Sequence, residues 1–266
     1  MALALWLLGY PDQALKRVQE ALTLAQELSH PLSLAYALFS VAFLYQLRRE
    51  EQKAQEWAEA LITLCTKQGF PQFLAYGTFY RGWALAEQGQ REEGIAQMRQ
   101  GLEAYRATGS EQGRPHVLTL LAEAYGKVGQ AEEGLSMLAE ALEVVDKNEQ
   151  RMYEAELYRL KGELSLQSRQ VKTSQDKSEV TNPQSPTPNP QSEAEACFWK
   201  AIEIARRQQA KSPELRAVMS LSRLWQKQGR KEEARQMLAE IYGWFTEGFD
   251  TKDLQEAKEL LEELSH

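Results

Sequence analysis

Apolar residues recur at helical spacing along nearly the whole chain. Leu135, Leu138, Ala139, Leu142 and Val145 follow the i, i+3, i+4, i+7 pattern of one face of a helix. No stretch alternates apolar and polar residues for long enough to make a sheet. Pro31, Pro71, Pro115 and Pro213 stand where a first helical turn would begin, where a missing N–H costs little. Ser192-Glu-Ala-Glu195 has the capping-box form and predicts a helix start. Asp250 suits the N-cap of the last helix. These signals together predict about thirteen helices joined by short turns.

The pattern is periodic. Gly89-Gln-Arg-Glu-Glu-Gly-Ile95 recurs as Gly129-Gln-Ala-Glu-Glu-Gly-Leu135 and as Gly229-Arg-Lys-Glu-Glu-Ala-Arg235, at offsets of 40 and 100. A column of small residues runs through Ala21, Ala60, Gly101, Ala141 and Ala201, with Ile241 in the last unit. Twelve residues before each member lies a turn column: Gly9, Arg48, Gly89, Gly129 and Gly229. Seven before lies Ala14, then Lys53 or Ala54, then Gly94, Gly134, Ala194 and Ala234. A further small column, Ala42, Gly82, Ala122, Gly162 and Ser222, is followed three residues on by Tyr45, Leu85, Tyr125, Ser165 and Trp225. Small sites opposite large ones favour ridges-into-grooves packing. No helix pair can bury its apolar face alone, so the units must stack.

One spacing of 60 among those near 40 marks an insertion of about twenty residues. It is visible at 168–191, which carries Pro183, Pro186, Pro188 and Pro190 and almost no apolar residue. Such a segment offers too little burial to offset its ordering entropy, which predicts a disordered loop between the helices of the fifth repeat. At the other extreme, residues 250–264 predict an amphipathic capping helix, with Leu254, Ala257, Leu261 and Leu264 on one face and acids on the other. Ala2 falls at the middle of the first helix of the first repeat. That repeat is expected to be incomplete, with an exposed apolar flank through which the chain self-associates. The expectation that follows is a C-terminal part of a longer ancestral protein.

Small–x–x–aromatic in the first helix, a glycine turn, and two alanines seven apart in the second helix resemble the tetratricopeptide (TPR) pattern. The match covers nearly all of the chain outside the loop, in units of about 40 residues rather than the 34 usual for that repeat. The resemblance implies an all-α fold: a single right-handed TPR-like superhelical solenoid over 1–266, of about six helix pairs. Glu154–Leu164, Ala205–Ser212 and Ile241–Asp250 resemble, more narrowly, the C-terminal TPR region of large bacterial predicted ATPases. Those proteins are often fused to an adenylate or guanylate cyclase domain. That likeness implies a regulatory or scaffold role beside catalytic domains elsewhere, and no catalysis by this chain.

Composition agrees with binding rather than chemistry. The 266 residues are 43% hydrophobic and carry a net charge of −7, which disfavours a nucleic-acid backbone as partner. Two cysteines, Cys65 and Cys197, and three histidines leave little for a metal centre. No P-loop, Gly-x-Gly-x-x-Gly, His-Glu-x-x-His or Gly-x-Ser-x-Gly occurs, so no enzyme activity and no cofactor is expected. The apolar run Met1–Leu8 is far below the roughly 18–20 residues of a membrane span. It also lacks the basic start of a signal peptide, which points to a cytoplasmic protein with no membrane partner. Ser185-Pro186 and Thr187-Pro188 read as spacer before they read as phosphorylation sites.

In TPR solenoids the first helix of each pair lines a concave groove. Positions one turn either side of the small residue give Tyr36, Phe39 and Phe43, then Tyr76, Phe79 and Trp83. The next repeats give His116, Thr119 and Glu123, then Glu156, Arg159 and Glu163, then Arg216, Met219 and Arg223. Such a groove would run from aromatic to charged and receive a peptide or helix of a protein partner, since aromatics and Arg dominate interface energetics. The same spacing suits rings that plug the seam between repeats, and the sequence leaves both open. The Lys and Asn set with which chaperone-binding TPRs grip a C-terminal carboxylate is missing from these positions. A ligand-sensing TPR domain of a transcriptional regulator is a third reading, and it would need a separate output domain.

Overall fold

The structure is a computed structural model that describes residues 1–175 and 189–266, with side chains outside 170–175. The described residues form thirteen α-helices and no strand. The first four are α1 (Ala2–Leu7), α2 (Pro11–Leu28), α3 (Pro31–Leu47) and α4 (Glu51–Gln68). They are followed by α5 (Pro71–Glu87), α6 (Arg91–Ala107), α7 (Arg114–Lys127) and α8 (Ala131–Asn148). A single 3₁₀ turn then leads into α9 (Glu154–Gln175). The remainder are α10 (Pro190–Arg207), α11 (Lys211–Lys227), α12 (Lys231–Tyr242) and α13 (Lys252–Leu264). The fold is all-α and built from TPR-like helix pairs.

The period is stricter than the sequence columns suggested. The turn inside each pair places Gly9, Arg49, Gly89, Gly129 and Gly229 at positive φ. In the second repeat the left-handed residue is therefore Arg49, not Arg48, and the offset there is 40. The turn between pairs uses a second left-handed column: Ser29, Gly69, Gly109, Glu149 and Gln209. Only two of those five are glycine, so composition hides the column. At each of these ten turns a left-handed residue follows the helix because the chain must reverse within two or three residues.

Packing corrects the small-residue columns as well. Ala54, not Lys53, occupies the buried position equivalent to Ala14, Gly94, Gly134, Ala194 and Ala234. Leu61 rather than Ala60 sits forty residues on from Ala21 and is fully buried. Ala21 itself is exposed. α1 has only six residues, too few to cover the second half of α2, and Leu24 and Leu28 are exposed on the same helix. Where α5 meets α6 the backbones touch. A Cβ on Gly82 would lie 2.7 Å from the Gly94 carbonyl oxygen, and one on Gly101 would lie 2.8 Å from the Phe79 nitrogen.

Two helix boundaries differ from expectation. α10 begins at Pro190, with the Asn189 side chain accepting a bond from the Gln191 N–H at 3.1 Å. Asn at the N-cap followed by Pro outcompetes the capping box at Ser192, which lies inside the helix. α13 begins at Lys252, and the Asp250 carboxylate accepts from Arg48 instead of capping it. Of the expected loop at 168–191, residues up to Gln175 continue α9 and Pro190–Gln191 open α10. Residues 176–188 lie outside the described residues.

The helices group into two compact units. One comprises Met1–Gly113 with Gly243–Lys258, the other Arg114–Tyr242 with Glu259–His266. Among the described residues no helix is long and apolar enough to cross a membrane.

Candidate protein-binding surfaces

Three columns of the first helices carry the candidate residues, and burial follows the column. Phe79, Thr119, Arg159 and Met219 share the middle column and are all buried, with Phe79 1% exposed. Phe39, at the same register in α3, is half-buried. This column faces the neighbouring helices, so it forms the seam. The flanking columns diverge along the chain: Tyr36 is 62% exposed, whereas Tyr76, His116 and Trp83 are buried. Phe43, Glu123, Glu156, Glu163 and Arg216 are half-buried, and Arg223 is exposed.

In the first unit the aromatic candidates gather into one sheaf. The Phe39 ring is its hub, with centroids 4.7 Å from Tyr76, 5.9 Å from Phe43 and Phe73, 6.1 Å from Tyr80 and 6.2 Å from Tyr36. Tilted and offset rings at these separations add to the area they bury. Tyr76 anchors the base of the sheaf: its hydroxyl donates to the Gln112 carbonyl at 2.8 Å and its ring lies 4.9 Å from Tyr105. Two expected groove residues are corrected here. Phe79 and Trp83 are core side chains at 1% and 3% exposure, and Gly101 of α6 packs directly on Phe79. Their removal would empty the core rather than strip a surface. Sequence reasoning missed Phe73, whose ring meets Tyr36 edge-on at 6.2 Å. Its place three residues before Tyr76 on the same helical stripe was the available signal.

In the second unit the candidates form an ion network instead. The Arg159 guanidinium donates to both Glu156 oxygens at 3.0 and 2.6 Å, and to Glu163 at 2.7 Å. The Ser220 hydroxyl lies 2.7 Å from the same Glu163 oxygen. Arg216 stands 3.9 Å from Glu156. Burial alone would pull the Arg159 pKa down, but the charges of Glu156 and Glu163 outweigh it and hold the group well above its ordinary value. Two cations thus face two carboxylates, and the guanidinium fork is spent internally. His116 stacks on Tyr153 at 4.9 Å. Burial, with the Arg216 charge second, pushes its pKa down to about 3, so the ring is neutral. Glu123 pairs with Lys127 at 3.0 Å. The part of this set offered to solvent is Arg223 and the outer edge of Glu163.

Neither cysteine is poised for chemistry. Burial pushes the Cys65 thiol up to about 11 and raises that of Cys197. Among the described residues no group of three His, Cys, Asp or Glu could hold a metal ion.

No family model and no curated protein matches this chain. Solved structures do. A kinesin light chain-like protein from Podosopora anserina with nearly identical TPR-like repeats is 18% identical with a TM-score of 0.51, covering 80% of this chain and 95% of its own. BtubC (BKLC) from P. vanneervenii is 14% identical at a TM-score of 0.55, covering 96% and 92%. A Rap protein complexed with Competence and Sporulation Factor is 11% identical at 0.60, covering 95% of this chain and 69% of that one. At these identities the likeness is one of fold.

Proposed function

We propose that this chain is a non-catalytic protein-binding module that receives a peptide or helix on the aromatic face formed by α3 and α5. The observation that carries the reading is the exposure gradient across one ring sheaf. Tyr36 projects into solvent, Phe39, Phe43 and Phe73 are half-covered, and Tyr76 and Tyr80 support them from beneath. Rings held by other rings lose little freedom on binding, which is what an anchor at an interface requires. A Rap protein of similar fold solved with Competence and Sporulation Factor supports a peptide or protein as the partner class. The net charge of −7 supports protein over nucleic acid.

The place of such a module beside an ATPase or cyclase rests on the sequence resemblance of the Glu154–Leu164, Ala205–Ser212 and Ile241–Asp250 stretches alone. In this reading the chain regulates a catalytic domain and catalyses nothing itself. The exposed Leu24, Leu28 and Leu32, beyond the reach of the six-residue α1, support self-association through that face as a second contact.

The test is photo-crosslinking from position 36 in the native host, followed by affinity measurement on the partner identified. Tyr36→Ala and Phe43→Ala should each weaken that partner by about tenfold or more, the range of interface anchors. Arg223→Ala, in the other unit, should change affinity little. A partner bound equally by wild type and both aromatic variants removes the aromatic face from the reading.

A further inference from the structure

The segment Gly243–Lys258 returns to the first unit and binds there through groups that sit far away in sequence. Its Glu247 carboxylate accepts from the backbone N–H groups of Asp12 and Gln13, both at 3.0 Å, and from the Gln13 side chain at 3.0 Å. These N–H groups lie in the first turn of α2, where no intrahelical acceptor exists. The residue at the N-cap is Tyr10, whose side chain makes no capping bond. A carboxylate 235 residues distant in sequence from Asp12 therefore caps α2, at the end where the helix dipole favours a negative charge.

Other contacts close around this one. Gly248 donates its N–H to Asp12 at 2.9 Å. It lies so close to Pro11 that a Cβ there would come within 2.1 Å of the ring. The Tyr10 and Trp244 rings lie 5.4 Å apart. Arg48, its side chain 2% exposed, pairs with Glu50, Asp12 and Asp250 at 2.6, 3.1 and 3.1 Å. Arg49 pairs with Asp253 and Glu256 at 3.2 and 2.9 Å.

The returning segment brings four carboxylates to two arginines and a helix N-terminus, beside the Tyr10–Trp244 pair and the glycine–proline contact, and it buries Phe245, Leu254 and Ala257. The carboxylates of Asp12 and Asp250 are half or more exposed, so salt screens them. We propose that Gly243–Lys258 is a releasable clasp, held in cis on the α2–α3 pair and opened by loss of its ion pairs while that pair stays folded. Clasp closure immobilises Arg48, the residue directly after α3, and so steadies one end of the helix that bears Tyr36, Phe39 and Phe43. The inference is independent of the peptide-binding reading.

The amides of Asp12 and Gln13 report on the clasp alone, because nothing in their own helix protects them. Residue-resolved hydrogen exchange on the full chain should find both protected in the wild type. Arg49→Gln and Glu256→Gln act on the far side of the clasp and leave Glu247 in place. Each should speed exchange at Asp12 and Gln13 by about two- to fivefold, as should 0.5 M salt. Amides in the middle of α2 and α3 should keep their rates. Unprotected Asp12 and Gln13 amides in the wild type overturn the proposal. So does protection that neither variant lowers, or exchange at these two sites that occurs only together with the core of α2 and α3.

Discussion

Gly94→Ala tests the backbone contact between α5 and α6. A methyl at residue 94 would sit 2.5 Å from the Ala86 nitrogen, 2.6 Å from the Gly82 carbonyl oxygen and 2.7 Å from the Ala86 Cβ. Two of these three atoms are backbone, so relief requires the helices to separate along their crossing. Overpacking of this kind costs about 1–3 kcal/mol, and rigid neighbours put the cost in the upper half. Against it stands the helix-propensity gain of Gly to Ala, about 0.8–1.0 kcal/mol. The net expectation is a loss of roughly 1–2 kcal/mol, or about 3–6 °C in midpoint for a chain of this size. Gly126→Ala is the control. Its methyl would meet the Leu164 Cδ2 at 2.5 Å, with the Gln167 side chain next at 3.4 Å. Leu164 is buried with its Cδ1 against Gly134, so a side chain rather than a helix backbone must shift. After the propensity gain that variant should lose less than Gly94→Ala, about 0.5–1 kcal/mol. Both are followed by circular dichroism through urea and thermal unfolding. A Gly94→Ala protein as stable as the wild type, or a Gly126→Ala protein that loses as much, refutes the reasoning.

Two further outcomes follow from local geometry. His116 is held neutral with its pKa near 3, against about 6.5 when unfolded. As pH falls below about 6.5 the unfolded chain takes up a proton that the folded chain refuses, so stability present above that pH is lost toward pH 3. The His116 imidazole resonances should therefore not titrate above about pH 4, and His116→Gln should flatten the acid limb of the stability profile; titration near 6.5 contradicts the burial argument. Glu149 holds φ at +55°, a conformation that costs an L-residue about 1–2 kcal/mol. Glu149→Gly should raise the unfolding free energy measured in urea by a net of about 0.5–1 kcal/mol after glycine's entropy cost. Arg49→Gly, at φ +60°, should gain nothing because it loses the pairs with Asp253 and Glu256.

Much of the architecture was legible because it depends on local, repeated chemistry. The forty-residue period, the helix count and the proline starts come from spacing that every repeat restates. The errors were of a different kind. A small residue at Ala60 places the turn twelve residues earlier at Arg48, one residue out of register. The backbone keeps a strict offset and accepts Arg49 and Leu61. The second left-handed column is hidden in the sequence because Ser29, Glu149 and Gln209 carry no glycine signal, although their φ values lie in the same left-handed region as those of Gly69 and Gly109.

The candidate residues divide in the same way. Tyr36, Phe39 and Phe43 could be placed on one helix face from sequence, since helical geometry alone sets that face. Which rings reach solvent depends on which neighbouring helices pack over them. That is why Phe79 and Trp83, alike in spacing, are core. Arg159 read as a groove cation until its two glutamates and Ser220 were seen to occupy it.

Taken alone, the sequence determined that this chain forms stacked helix pairs, because helical periodicity and small crossing sites are properties of neighbouring residues. Only the tertiary structure decided which aromatic rings stay exposed. It alone revealed that Glu247 caps a helix 235 residues away, since burial and capping at such distance depend on how separate segments meet.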